Sequence, residues 1–381
     1  MTMGEAVAVV VTWLRKTAIN ASLALTSLAA ACLLGEGATR LVAPQQLVQV
    51  RSDLWQPADT IGYVHRPNVA ATINTGERTV DIFTDARGFR VGGEGARESG
   101  TPVLLIGDSF MDALQVQYEQ SLAALLQEHL SDETGAPVAV RNAGVDGWSP
   151  SHYLIRARML LPRDNYRLVV TTLYVANDAE PRRVDYFAPR PHAVRYGFRL
   201  PRRLEVAELV DALLRPVNDG LEVRSHLFTL LKNRLQTLRM RLGLYPLDFP
   251  TEFLRSEAMA ERWSLTAEIC RDIRDVAEKH GAKAIFVLIP AAYQVDPDQF
   301  TSYLRGFGVD PATVDLNQPS RRLYEELSAL GLTVLDALPA FRAAYDAGEV
   351  LYGTIDPHFT PAGHELLADL LLPLASELLV R

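Results

Sequence analysis

From residue 102 onward the chain alternates short, apolar, β-branched runs with helical stretches, and that alternation leaves few folds open. The runs are "PVLLIGD" at 102–108, "VAVRNAG" at 138–144, "RLVVTTLYV" at 167–175, "KAIFVLIP" at 283–290 and "TVLDAL" at 333–338. Between them helices are predicted over Glu119–Leu130, Arg156–Leu161, Ser256–His280 and Arg321–Leu330. In the third, Leu265, Ile269, Ile273 and Val276 recur at helical spacing, and Gly281 is placed to end it. Apolar strands separated by helices imply an α/β protein with a five-stranded parallel sheet covered on both faces. In such a sheet the site lies beyond the carboxyl ends of the strands, where Gly107-Asp108-Ser109 falls. These residue types also punctuate ordinary strand ends, so the tripeptide alone leaves Ser109 open between turn residue and nucleophile.

The N-terminus follows a different pattern. Arg15 and Lys16 precede "TAINASLALTSLAAACLLG" at 17–35, an uncharged stretch of nineteen residues ended by Glu36 and Arg40. About twenty apolar residues suffice for a helix to cross a bilayer. The positive flank before the span makes residues 1–16 cytoplasmic, 17–35 a transmembrane anchor and the remainder periplasmic. A cleaved or lipidated signal, with Cys32 at the end of "LAAAC", and a buried helix are the alternatives.

Residues 36–100 form a lead-in, in which "NVAATIN-TG-ERTVDIF" at 68–83 reads as a β-hairpin around a Thr-Gly turn. "GGEGARESGT" then links it to a main domain at 101–381. A helical insertion at about 181–250 interrupts that domain and carries thirteen basic against seven acidic residues. Within it Leu227, Leu231, Leu235, Leu238 and Leu242 form a stripe beside Lys232, Arg234, Arg239 and Arg241. The stripe suits a helix packed on its own domain, a helix lying on anionic lipid, or a lid.

A net charge of -8 over 381 residues gives no electrostatic reason to bind nucleic acid. The chain has two cysteines, Cys32 and Cys270, and lacks CxxC and HExxH spacings, so neither a metal nor a cofactor is expected.

Serine acyl transfer needs a base, a carboxylate to orient it and donors for an oxyanion. Asp356 and His358 lie in a turn before the C-terminal helix, which Thr360 can cap and Pro361 can open. His364 competes as base, but it falls inside that helix without an upstream Asp. Donors are available at the Ser109 N–H, in the loop "RNAGVDGWSP" with Gly144 and Gly147, and at Asn177 after the third strand.

These segments, in this order and on these strands, resemble the four blocks of the SGNH (GDSL-type) hydrolase family, and "GYVHRPN" and "DARGFRV" are similar to the lead-in of its bacterial envelope members. The resemblance runs from about residue 100 to the C-terminus, outside the insertion. It implies a flavodoxin-like three-layer α/β/α sandwich. It also implies Ser109 as nucleophile, His358 as base and Asp356 as its orienter, with Ser109, Gly147 and Asn177 forming the oxyanion hole. Val175 stands where the family has glycine, and Asp356 precedes His358 by two residues instead of three. The implied activity is hydrolysis of acyl esters, acetyl esters included, of an envelope glycan or lipid. An O-acyltransferase with the same acyl-enzyme and a non-catalytic glycan-binding protein are the alternatives. No sequence feature fixes the oligomeric state.

Overall fold

A computed structural model describes residues 3–45, 47, 52–75, 77–93, 99–179, 214, 217–218, 220–221, 224–241, 251–255, 257–298, 300–301, 304, 309–354 and 356–380. Gly76 of the expected hairpin turn, residues 94–98 of the linker, most of the insertion before residue 224 and Leu242 of the leucine stripe lie outside the described residues.

The strands are β1 (Trp55–Ala58), β2 (Gly62–His65), β3 (Ala70–Asn74), β4 (Thr79–Thr84), β5 (Arg90–Val91), β6 (Thr101–Ile106), β7 (Val138–Asn142), β8 (Leu168–Tyr174), β9 (Lys283–Ile289) and β10 (Val334–Asp336). The first helices are α1 (Met3–Val42), α2 (Ser109–Asp112), α3 (Leu122–Thr134), α4 (Pro150–Leu160) and α5 (His226–Arg241). They are followed by α6 (Glu257–Lys279), α7 (Ala292–Val295), α8 (Gln318–Ala329), α9 (Leu338–Asp346) and α10 (Pro361–Val380). Two compact units result: Met1–Val48 with Leu200–Arg239, and Gln49–Arg199 with Met240–Arg381.

In the larger unit an eight-stranded sheet has the order β10-β9-β8-β6-β7-β5-β4-β3. Strands β7, β6, β8, β9 and β10 are parallel and are the five that the alternation predicts. Numbered along the chain, their order is 2-1-3-4-5, the flavodoxin-like winding, whose switch point lies between β6 and β8. Successive side chains of a strand face opposite ways, and both faces are buried here. Leu104 and Ile106 of β6 join the cluster that includes Leu154 of α4, Trp263 and Ile273 of α6 and Leu323 of α8. Val103 and Leu105 join the opposite cluster, with Leu126 of α3, Phe341 of α9 and Leu367 of α10. Each such leucine contributes about 1.5–3 kcal/mol by leaving water. Gly281 ends α6 at φ +77. Its N–H donates to Glu278 and the Ala282 N–H to Ala277, the paired bonds of a Schellman cap.

The hairpin forms as predicted, with β3 antiparallel to β4. It continues the main sheet, however, and the sheet runs through the boundary expected at residue 100. The link is β5, a two-residue strand that pairs with β4 and meets β7 at Arg90 opposite Asn142. Strands β1 and β2 make a separate two-stranded antiparallel sheet.

In the smaller unit α1 is continuous through the expected anchor. Trp13–Val42 is long and apolar enough to cross a membrane, with mean hydropathy 1.7 over its best window. Glu36 of α1 reaches the start of α5, where its carboxylate accepts from Ser225 Oγ at 2.7 Å and from the N–H groups of His226 and Leu227 at 3.0 and 2.9 Å. A carboxylate there satisfies donors that a helix start leaves without partners and complements its dipole. Leu227 packs so closely on α1 that a Cβ at Gly35 would lie 3.0 Å from it. Leu231, Leu235 and Leu238 stay exposed, at 59, 57 and 51 %.

Candidate active site

The apolar core ends abruptly after Ile106, and the next residues turn outward into the four-residue helix α2. Gly107 is required at the turn, since a Cβ there would sit 2.1 Å from Thr172 Oγ1. Asp108 caps α2 by accepting from the Phe110 N–H at 3.0 Å. Ser109 therefore sits at the first helical position, at the carboxyl end of β6 beside the switch point. Burial pushes the Asp108 carboxyl above its ordinary range, against the opposing pull of the Phe110 N–H and of His358.

From the far end of the chain, the turn before α10 delivers the other two groups. His358 Nε2 lies 2.7 Å from Ser109 Oγ, and His358 Nδ1 is hydrogen-bonded to Asp356 Oδ1. The two-residue spacing closes because the His358 N–H donates to the Asp356 carbonyl at 2.8 Å, folding the segment tightly through Pro357. Tyr352 Oη donates to the Pro290 carbonyl at 2.7 Å and fixes this turn to the end of β9. Phe110 packs against the His358 and Phe359 rings with centroids 4.8 Å from each.

The electrostatics of the pair follow from burial and contact. Burial opposes a charged His358, yet the hydrogen bond and charge of Asp356 outweigh it and raise the imidazole above 6.5. Burial likewise opposes an ionised Asp356, and its bonds to His358 and Gln115 overcome that and lower it. This arrangement can draw a proton from Ser109 and hold the resulting imidazolium.

His364, the rival base, is placed elsewhere. It is buried in α10, accepts from the Leu122 N–H at 3.3 Å and stacks edge-on with Phe359. Burial, with Arg90 and His358 nearby, pushes it down to about 3, so it is a neutral acceptor at the start of α3.

Gly147 lies in the turn after β7, with φ +75. The same loop reaches α2, the helix that Ser109 begins, since the Asp146 N–H donates to Asp112 Oδ2 at 3.0 Å and the Val145 N–H to the Gly107 carbonyl at 3.2 Å. Gly144 lies so close beneath α2 that a Cβ would be 2.5 Å from Met111 Cβ. Asn177 follows β8, the strand next to β6, and is exposed. Its loop is held by buried Asp178, which accepts from Tyr153 Oη at 3.1 Å and from the Tyr174 N–H at 2.8 Å. Val175, the departure from glycine, is buried, avoids positive φ and donates its N–H to the Ile289 carbonyl at 3.1 Å. The structure thus joins Ser109, His358 and Asp356 directly and ties Asp146, the residue before Gly147, to α2. The Asn177 side chain hydrogen-bonds to none of these groups among the described residues.

Several contributors escape a motif-based reading. Gln115 Nε2 donates to Asp356 Oδ2 at 2.9 Å. Buried His65 lies 3.1 Å from Asp112 Oδ2. Arg90, fully buried, donates to the carbonyls of Asp112, Ala113 and Val116 and braces the left-handed turn at Ala113. Burial lowers its guanidinium to about 10, partly offset by Asp112. The sequence signals are the lead-in segments "GYVHRPN", which holds His65, and "DARGFRV", which holds Arg90, neither of which assigns a role to those side chains.

No family model matches the chain, and no curated protein does. Among solved structures it is similar to TesA, at 16 % identity and TM-score 0.37, covering 73 % of this chain and 99 % of that one. It is also similar to a member of the lipolytic protein G-D-S-L family from Veillonella parvula, at 12 % identity and TM-score 0.38, covering 72 % and 97 %. A third is a catalytic mutant of Axe2, an acetylxylan esterase from Geobacillus stearothermophilus, at 14 % identity and TM-score 0.39, covering 73 % and 94 %.

Proposed function

We propose that the protein is a membrane-anchored serine esterase of the SGNH type that removes acyl groups, acetyl among them, from an envelope glycan or lipid. The observation that carries this reading is the continuous hydrogen-bonded chain Ser109–His358–Asp356 at the carboxyl rim of the sheet. In the proposed reaction His358 Nε2 takes the Ser109 proton as Oγ attacks the ester carbonyl. The oxyanion is held by the N–H groups of Ser109 and Gly147 and the Asn177 amide, each donor contributing about 3–4 kcal/mol. His358 then protonates the departing alkoxide. Water, losing a proton to His358, attacks the acyl-enzyme and releases the acid while Ser109 recovers its proton.

The anchor reading rests on α1, and the positive flank at Arg15 and Lys16 favours the site on the periplasmic side. In this reading α5 lies along the anionic membrane surface. Glu36 ties its start to the end of the span, its exposed leucines face lipid, and Lys232 and Arg234 meet headgroups.

The test is turnover of p-nitrophenyl acetate by the detergent-solubilised chain. Wild type is expected to release nitrophenol and Ser109→Ala to fall to background; equal rates would refute the reading.

A further inference from the structure

The turn carrying Gly147 is held by one strand of the lead-in, directly by Tyr63 and through Asp112 by His65. Residues 145–148 form a β-turn closed by the Trp148 N–H on the Val145 carbonyl at 3.3 Å. Gly147, at its third position, has φ +75, and Asp146, at its second, has no positive φ, which is the type II pattern. Types I and II differ by a half-turn of the central peptide, here Asp146–Gly147. Glycine tolerates both. The sequence of the turn therefore leaves the direction of the Gly147 N–H undetermined, and something outside the turn must fix it.

Tyr63 does so. Its hydroxyl donates to the Asp146 carbonyl at 2.6 Å. In a trans peptide the C=O and N–H point opposite ways, so holding the carbonyl of Asp146 aims the N–H of Gly147 away from Tyr63. No hydrogen bond within the described residues takes up that N–H. The preceding peptide is held too: the Asp146 N–H donates to Asp112 Oδ2, and the same oxygen lies 3.1 Å from His65 Nε2. Tyr63 and His65 are two residues apart on β2 and so share a face of the strand. Asp112 ends α2, the helix that Ser109 begins.

We propose that β2 is a clamp on the oxyanion turn, with Tyr63 the positioning residue that selects the orientation of the Gly147 N–H and His65, through Asp112, locking the turn to the nucleophile's helix. This rests on the esterase reading above and extends it. The lead-in thereby becomes a working part of the site.

The test is Tyr63→Phe in the full-length chain in detergent, a change that removes one hydroxyl and keeps the ring. Loss of one oxyanion donor costs about 10²–10³ in rate. Because glycine still samples the productive turn, a fall in kcat on p-nitrophenyl acetate of about 10- to 100-fold is expected, with KM unchanged. A second readout needs no turnover: in chain labelled with [15N]glycine, the Gly147 amide resonance should shift in Tyr63→Phe while that of Gly281, far from the turn in sequence, stays put. An unchanged kcat with an unmoved Gly147 resonance would overturn the clamp and leave the esterase reading standing. Should wild type and Ser109→Ala both be inert, the esterase reading fails, and the Gly147 resonance alone decides whether Tyr63 holds the turn.

Discussion

The carboxyl rim of the parallel strands and the small sheet of the lead-in meet at the same turn and are built on different principles. At the rim, Ser109, Asp356 and His358 act through their own side chains, each in a short motif and each partly reachable by solvent. In the lead-in and its neighbours, Tyr63 and Arg90 hold backbone carbonyls of other segments, and His65 holds the Asp112 carboxylate. In the proposed reaction the chemistry is thus concentrated in a few positions, whereas its geometry is distributed over strands far apart in the chain. Substitutions at the rim should abolish turnover without unfolding the protein, and those behind it should loosen geometry or stability first.

The largest contrast is expected from His358→Ala, which should reduce kcat by roughly 10⁴-fold or more with an unchanged melting temperature, because the base and its nucleophile fail together. A calorimetric scan beside the rate measurement checks both halves. Asp356→Asn follows, with a loss of about 10³–10⁴-fold and a shifted pH profile. The reaction needs neutral His358, and Asp356 raises that imidazole, so the wild-type rate should climb with pH around a midpoint above 6.5. Removing the carboxylate charge should move the midpoint down; an unmoved midpoint would detach Asp356 from the base. Gln115→Leu removes one donor from Asp356 Oδ2 and should lower kcat about tenfold, the scale of a hydrogen bond to a charged group.

The smallest effect concerns the other unit. A fluorophore on Leu235→Cys, in a Cys32→Ser background and in anionic vesicles, should be quenched by brominated lipid and spared by aqueous iodide. The reverse pattern would remove α5 from the membrane surface.

The same contrast explains what could be read from the residues alone. The five parallel strands were legible because both their faces are buried, which writes an unbroken apolar run into each. The hairpin was legible from its alternation, but its union with the main sheet was not. That union depends on two residues of β5 and on the meeting of Arg90 with Asn142, too short to leave a periodic trace. Ser109 and His358 stood out because serine acyl transfer needs a hydroxyl and an imidazole beside a carboxylate, and each falls in a short motif that offers one. Gln115 did not: its bond to Asp356 spans 241 positions and arises only when the rim is assembled. Tyr63 looked like any strand tyrosine until the carbonyl it holds was in view. Glu36 capping α5 from 190 positions away is hidden for the same reason.

The measurement that goes straight to the Ser109–His358 pair is reaction of the full-length chain with a fluorophosphonate, followed by peptide mapping of the adduct. The prediction is a single phosphonylated site at Ser109 in wild type, formed far more slowly in His358→Ala and absent in Ser109→Ala. Labelling elsewhere, or equal labelling in all three chains, would contradict the assignment of this serine as an activated nucleophile.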